Sequence, residues 1–394
     1  MKCKNDRAEF PKVPTTPVKF RTFRRLDVSE ASYVIGKAPS ELSVGGINSR
    51  NLGRLQYFDY FRGVTILFVV AGHCYNNWRP AGFLEVSVAN FITGATAIFV
   101  FISGFFFHFA FYKRFNYRNF MYAKFRNVAL PYLVLTTVSA AGFIFAYGEI
   151  PFPIVFSEDQ FLNNAISYVA NVFTGRSWTA YWYVPFIMLV FAMSPLFIWF
   201  ISLRLSIKLA LTAFCLLMAL FVHRPTLNLN PAHSVLYLMG FYMIGILFSE
   251  YRISLEEFLK STTIFWCVIA VVCAALTAYL GQIGNSHKMT PWAWQGIDLM
   301  VPLKLVSIPA MLGLFLNIER FSIPVLRFFA EISFGLFFIH TLVLSAVKSM
   351  YFERMEHGFW GAALIFILVL LISTLLISIL RKLLGRRSRY LIGC

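Results

Sequence analysis

Three ionisable side chains sit in the first strongly apolar stretch of this chain, FDYFRGVTILFVVAGH: Asp59, Arg62 and His73. Their types suit group or proton transfer. An imidazole titrating near pH 6.5 can remove a proton from a hydroxyl, or act itself as a nucleophile. A guanidinium can bind a phosphate or a developing oxyanion. A carboxylate can orient the arginine or cap the start of a helix. If the stretch is helical, Arg62 and His73, eleven residues apart, point about 20° from one another, and Asp59 lies about 40° to 60° from both. His73 then sits about 16 Å further along the axis than Arg62. The bland readings are an arginine that snorkels to the headgroups and a histidine that only bonds a neighbouring helix. Ionisable groups deep in a membrane more often line a cavity or pathway, and a proton or substrate relay in a transporter would use the same three residues.

The elements that must position them are membrane helices. The 394 residues are 58% hydrophobic, 18% aromatic and only 13% charged, with mean hydropathy +0.68. An ordinary soluble domain carries about 25% charge, so this chain could not coat its own surface in water. Runs near the length that crosses the hydrocarbon core lie at 58–78, 91–112, 127–147, 182–202, 207–222, 235–251, 262–281, 295–318, 329–350 and 359–380. The expected fold is all-α, a polytopic membrane protein of about ten transmembrane helices with both termini cytoplasmic. The formal net charge of +17 does not point to nucleic acid. With an inside N-terminus, 27 of the 35 Lys and Arg residues fall on the cytoplasmic side, as the positive-inside rule requires. Arg79, Arg176 and Arg224 read as isolated basics on the opposite side.

Residues 1–53 carry Pro11, Pro14, Pro17 and Pro39, mixed charge and no signal-peptide core, and read as a flexible basic cytoplasmic extension. The membrane domain is expected over 54–385, with a short basic cytoplasmic tail at 386–394. The six cysteines fall in spans or in the cytoplasmic termini and make no disulfide framework, and none has metal-ligand spacing with a histidine. No metal is expected.

RLQYFDYFRGVTILFVVAGH resembles the first-helix signature of the acyltransferase family 3 membrane proteins, with Arg62, Gly63 and His73 at the matching positions. FVFISGFFF (99–107), FRNVALPYL (125–133), YWYVPFIMLVFAMSPLF (181–197) and EISFGLFFIH (331–340) are similar to later helices of that family, in the same order. The resemblance covers about 54–385. Many members carry two arginines three apart before the third helix, whereas YAKFRNVALP leaves only Lys124 and Arg126 close to the span. The expected form is the compact one, without the fused extracytoplasmic hydrolase-like domain that some relatives carry.

The resemblance implies transfer of an acyl group, commonly acetyl, from acetyl-CoA or another acyl-CoA to a hydroxyl of a surface glycan, in the inner (plasma) membrane. His73 would be the base or an acylated nucleophile, Arg62 would bind the donor or oxyanion, and Asp59 would support it. Arg114, Arg118, Lys124 and Arg126, with Lys113, would hold CoA phosphates, although topology alone also places them there. Ser333 and His340, seven apart on one helix face, would line the cavity or form a satisfied core pair. Glu331 is expected at that helix's positive end. Tyr181 and Trp182 suit stacking on a sugar, with an interfacial aromatic belt the favoured alternative. Asp298 and Lys304, six apart, point about 120° from one another and do not suggest a simple pair. The partners implied are membrane lipid, acyl-CoA, a carbohydrate acceptor and glycan-synthesis proteins. A glycan exporter and a non-catalytic scaffold are the alternatives.

Overall fold

The computed structural model describes residues 55–75, 82–349 and 358–394, so the expected extension at 1–53 lies outside the described residues. The first ionisable stretch forms α1 (Gln56–Cys74). α2 (Phe83–Ile92) and α3 (Thr96–Phe106) follow, and α3 runs on through a π-helical turn at Phe107–Phe111. α4 (Tyr117–Lys124) joins α5 (Leu130–Tyr147) through a second π-helical turn, Phe125–Ala129. Then come α6 (Gln160–Thr174), α7 (Tyr183–Ala192), α8 (Ser194–Ser202) and α9 (Leu205–Val222). The strand β1 (Arg224–Pro225) precedes α10 (Pro231–Glu250) and α11 (Arg252–Tyr279), and β2 (His287–Lys288) precedes α12 (Met300–Ile318). α13 (Pro324–Val347), α14 (Phe359–Leu384) and α15 (Ser388–Leu391) complete the chain.

Among the described residues, eight helices are long and apolar enough to cross a membrane, and a ninth crossing arises if α7 and α8, bent by 53° at Met193, count as one. The expected first span, α1, falls outside that set despite its 19 residues, because Asp59, Arg62 and His73 dilute its hydropathy. Each expected apolar run is largely helical where it is described, the run at 182–202 as two helices and that at 295–318 from Met300 onward, in a multi-pass membrane protein. α6 is an addition: its sequence alternates apolar residues with Asn and Ser, and Asp159 caps it by accepting from the amides of Phe161 and Leu162.

α10, α12 and α13 are mostly enclosed by other helices, whereas α9, α11 and α14 turn most of their residues outward. α1 packs between α12, α13 and α14. Its lower half is a knot of aromatic rings, with Phe58 stacked on Phe105 at 4.0 Å and edge-on to Phe61. Two glycines let α3 and α10 touch backbone to backbone: a Cβ on Gly104 would fall 2.0 Å from the Tyr242 carbonyl oxygen, and one on Gly245 2.1 Å from that of Phe101. The expected tail is not a free end. α15 packs on α5, and Cys394 lies where a Cβ on Gly335 would collide with its sulfur.

Candidate functional site

α1 and α13 run parallel and in register. Moving along α1, the Tyr60 hydroxyl donates to the Phe321 carbonyl at 2.7 Å, Arg62 meets Ala330, and His73 meets His340. The close approach depends on Gly63, where a Cβ would lie 2.3 Å from the Leu326 carbonyl oxygen. A guanidinium N–H of Arg62 donates to the Ala330 carbonyl at 2.5 Å, and the Ser333 hydroxyl donates to the same oxygen at 2.9 Å. Arg62 is therefore fixed against α13.

Eleven residues on, His73 Nδ1 lies 2.8 Å from His340 Nε2, the two rings within 7° of parallel. His340 Nδ1 lies 2.7 Å from the Leu336 carbonyl. A carbonyl can only accept, so His340 carries its proton on Nδ1, and in the neutral pair its Nε2 offers a lone pair. His73 must then donate from Nδ1. That leaves the Nε2 of His73 unprotonated. His340 is fully buried, while His73 keeps partial exposure. This is the arrangement of a general base whose tautomer is fixed by the group behind it. Sequence spacing had joined His340 to Ser333. The structure instead joins His340 to His73 and Ser333 to the Arg62 carbonyl acceptor.

At the α9–α10 end a second polar group closes over the helices. β1 and β2 pair in parallel, Arg224 opposite His287. His223 holds a left-handed backbone (φ 56°) and bridges Ser286 Oγ at 2.6 Å and the Gly296 carbonyl at 3.0 Å. Asn90 ties in α2, donating to the Gln282 carbonyl and accepting from the Gly284 amide. This frame holds Arg224, which is 5% exposed, against the face of Trp182 at 5.2 Å and beside Tyr237 at 5.9 Å. Burial pushes its guanidinium below the ordinary range, while Tyr237 and Asp298 act in the opposite direction; arginine keeps its charge regardless. Sequence reasoning had set Arg224 aside as a topology mark. The available signal was its place in His-Arg-Pro, in the connection between two apolar runs.

Other expected residues are dispersed. Asp59 lies in the first turn of α1 but is not its cap, which is Leu55 without a side-chain bond. Arg114 and Arg118 are exposed near α4, and Arg126 donates to the Tyr390 hydroxyl of α15 and stacks on its ring. Lys124 sits among the rings of Phe111, Phe120 and Phe191, at 4.6, 5.1 and 4.5 Å. Tyr181 and Trp182 do not form an interfacial belt. Both are buried, because the tight Gly175 turn presses against their backbone and Tyr181 packs edge-on to Tyr132 and Phe338. Asp298 and Lys304 each find other partners, Tyr237 and Gln282 for the acid and the Asn90 and Phe91 carbonyls for the amine. Glu331 lies in the second turn of α13, which starts at Pro324, not at its positive end. The five described cysteines are free.

A family model described as an acyltransferase domain, that of acyltransferase family 3, matches residues 55–380. No curated protein and no solved structure matches the chain.

Proposed function

From the premise that this chain belongs to acyltransferase family 3, we propose that it moves an acetyl group from acetyl-CoA, or another acyl group from its CoA thioester, to a sugar hydroxyl of a cell-surface polysaccharide or related glycan. The observation that carries this reading is the chain from His73 through His340 to the Leu336 carbonyl, which leaves His73 Nε2 as a proton acceptor. His73 Nε2 takes the hydroxyl proton as the sugar oxygen attacks the thioester carbonyl. The C–S bond then breaks, and the departing CoA thiolate takes the proton back from the imidazolium. A double displacement, in which His73 first carries the acyl group, uses the same lone pair.

Arg62 serves the donor phosphate or the carbonyl oxygen as charge builds on it. The basic bias supports cytoplasmic termini in an inner (plasma) membrane, so acyl-CoA would come from the side of Arg62, Lys124 and the exposed Arg114 and Arg118. The acceptor would come from the side of Trp182 and Arg224. Arg126, engaged with Tyr390, is a weaker candidate for CoA. Glycan-synthesis proteins would supply the acceptor.

The test is His73→Ala, expressed beside wild type in a deletion host, with membrane abundance and base-labile acetyl on purified glycan both measured. Loss of general-base help costs on the order of 100- to 10,000-fold, so the ester should vanish while the protein remains. Full acetylation by a stably inserted variant would remove His73 from the chemistry and favour a scaffold.

A further inference from the structure

The end of the fold around Arg224 holds more buried positive charge than its own residues balance. Among the described residues, the buried charged side chains are Lys208, Arg224, Lys288, Lys304 and Asp298. Lys208 pairs with Glu250. Arg224 and Lys288 share one electrostatic neighbourhood with Asp298, the single buried carboxylate among the described residues, and Lys304 adjoins Arg224. That carboxylate is already engaged by neutral donors: Tyr237 at 2.8 Å on Oδ2, and Gln282 at 2.7 Å and the Met300 amide at 3.0 Å on Oδ1. Lys304 and Lys288 spend their protons on carbonyls, Lys304 on those of Asn90 and Phe91, Lys288 on those of Phe221 and Ala293.

Arg224 differs. No acceptor among the described residues takes a hydrogen bond from its guanidinium, although the residue is 95% buried by its 5% exposure. Its contacts are the rings of Trp182 and Tyr237. Such rings hold the guanidinium plane in place and leave its fork of donors unspent. Buried charges are ordinarily paired. A fixed planar fork with no protein acceptor among the described residues, beside surplus positive charge, is matched by a bidentate oxyanion.

We propose that Arg224 binds an acidic group, a carboxylate or a phosphate, carried by the acceptor sugar, with Trp182 and Tyr237 flanking that subsite. The inference rests on the transferase reading for its placement of the acceptor on this side of His73. It adds that the acceptor is anionic close to the hydroxyl that is acylated. The sugar's acid would anchor on Arg224, and its hydroxyl would lie toward His73.

Binding to the purified full-length protein in lipid nanodiscs tests this, with methyl glucuronoside and glucose 6-phosphate each compared with neutral methyl glucoside. Wild type should bind at least one acidic sugar about tenfold or more tightly than the neutral one. Arg224→Gln should bring that preference to within about twofold and leave the neutral sugar's affinity unchanged. Arg224→Lys, which keeps the charge and loses the fork, should retain part of the preference, and it decides the matter if the glutamine variant does not fold. The two acidic probes separate a carboxylate from a phosphate source. Absence of any preference in wild type, or its survival in both variants, would overturn the proposal. So would an equal loss of turnover on neutral and acidic acceptors with unchanged binding preference, which would move Arg224 to the reacting carbonyl. Because the readout is binding, acidic preference without acyl transfer would count against the transferase reading alone, and transfer without acidic preference against this inference alone.

Discussion

Replacing His340 with Phe isolates what the second histidine contributes. The residue is fully buried, and a phenyl ring of similar breadth fills its space among Phe337 and its neighbours. The substitution removes the acceptor that lies 2.8 Å from His73 Nδ1. In the resting enzyme that bond joins two neutral rings and is worth about 0.5–1.5 kcal/mol; once His73 holds the substrate proton it is charge-assisted and worth about 1.5–3 kcal/mol. The difference, about 1–1.5 kcal/mol, is felt only as the proton moves, and lowers kcat about 5- to 13-fold. Losing the fixed tautomer adds about twofold more, if the competent form falls to about half of the population. His340→Phe should therefore lose about ten- to thirtyfold in kcat with little change in KM for acyl-CoA. The assay is single-turnover acyl transfer by purified protein, with thermal unfolding to establish the fold. Wild-type kcat in a folded variant would refute the tautomer argument. A loss as deep as that of His73→Ala would refute it too, since His340 would then be handling the proton itself.

Arg62→Lys keeps the charge but cannot both reach Ala330 and present a planar fork, so kcat/KM should fall about tenfold or more, for roughly 1.4 kcal/mol, at normal abundance; unchanged turnover would leave Arg62 an anchor. Gly63→Ala places a methyl 2.3 Å from the Leu326 carbonyl, and overpacking of this kind costs about 1–3 kcal/mol, so melting temperature and membrane yield should both drop. Gly142→Ala in α5 is its control: nothing lies within 4 Å of the added carbon, and alanine favours helix by about 1 kcal/mol, so stability should hold or rise.

The helical segments were legible because a run of some twenty apolar residues has one economical solution in lipid, a helix with its backbone bonds satisfied internally. Legibility failed where that argument does not apply. α6 is short, and its Asn163, Ser167 and Asn171 face inward to hold the preceding loop, so no apolar run announced it. The break between α7 and α8 was visible only as Ser194-Pro195 inside an apparent span. At the site, Arg62 and His73 stood out because charge in an apolar helix needs a reason. His340 was found, but with the wrong partner. Helical arithmetic detects neighbours on one helix, and Ser333 was the neighbour available, whereas the true partner lies 267 residues away. Arg224 was lost because the positive-inside rule treats a basic residue as a mark of sidedness and gives no weight to its burial.

The pairing of α1 with α13 nonetheless leaves a trace that a second reading of the sequence could use. Arg62 is six residues beyond the start of α1, and Ala330 six beyond the start of α13; His73 is seventeen in, and His340 sixteen. Parallel helices of equal rise bring such positions to equal depth, so two histidines at nearly matched distances from their helix starts are candidates for contact before any coordinates exist. What the spacing cannot supply is the proximity itself, and that comes from Gly63. Without a Cβ at that position, α13 closes until its carbonyls reach α1, and only then can Ala330 fix Arg62 and His340, its own tautomer set within α13 by Leu336, reach His73. The Arg-Gly pair in FRG thus divides the labour: the arginine meets charge, and the glycine sets the distance at which the histidines become a relay. A glycine variant should accordingly impair His73 and Arg62 together, through geometry, whereas Arg62→Lys should spare the histidine pair.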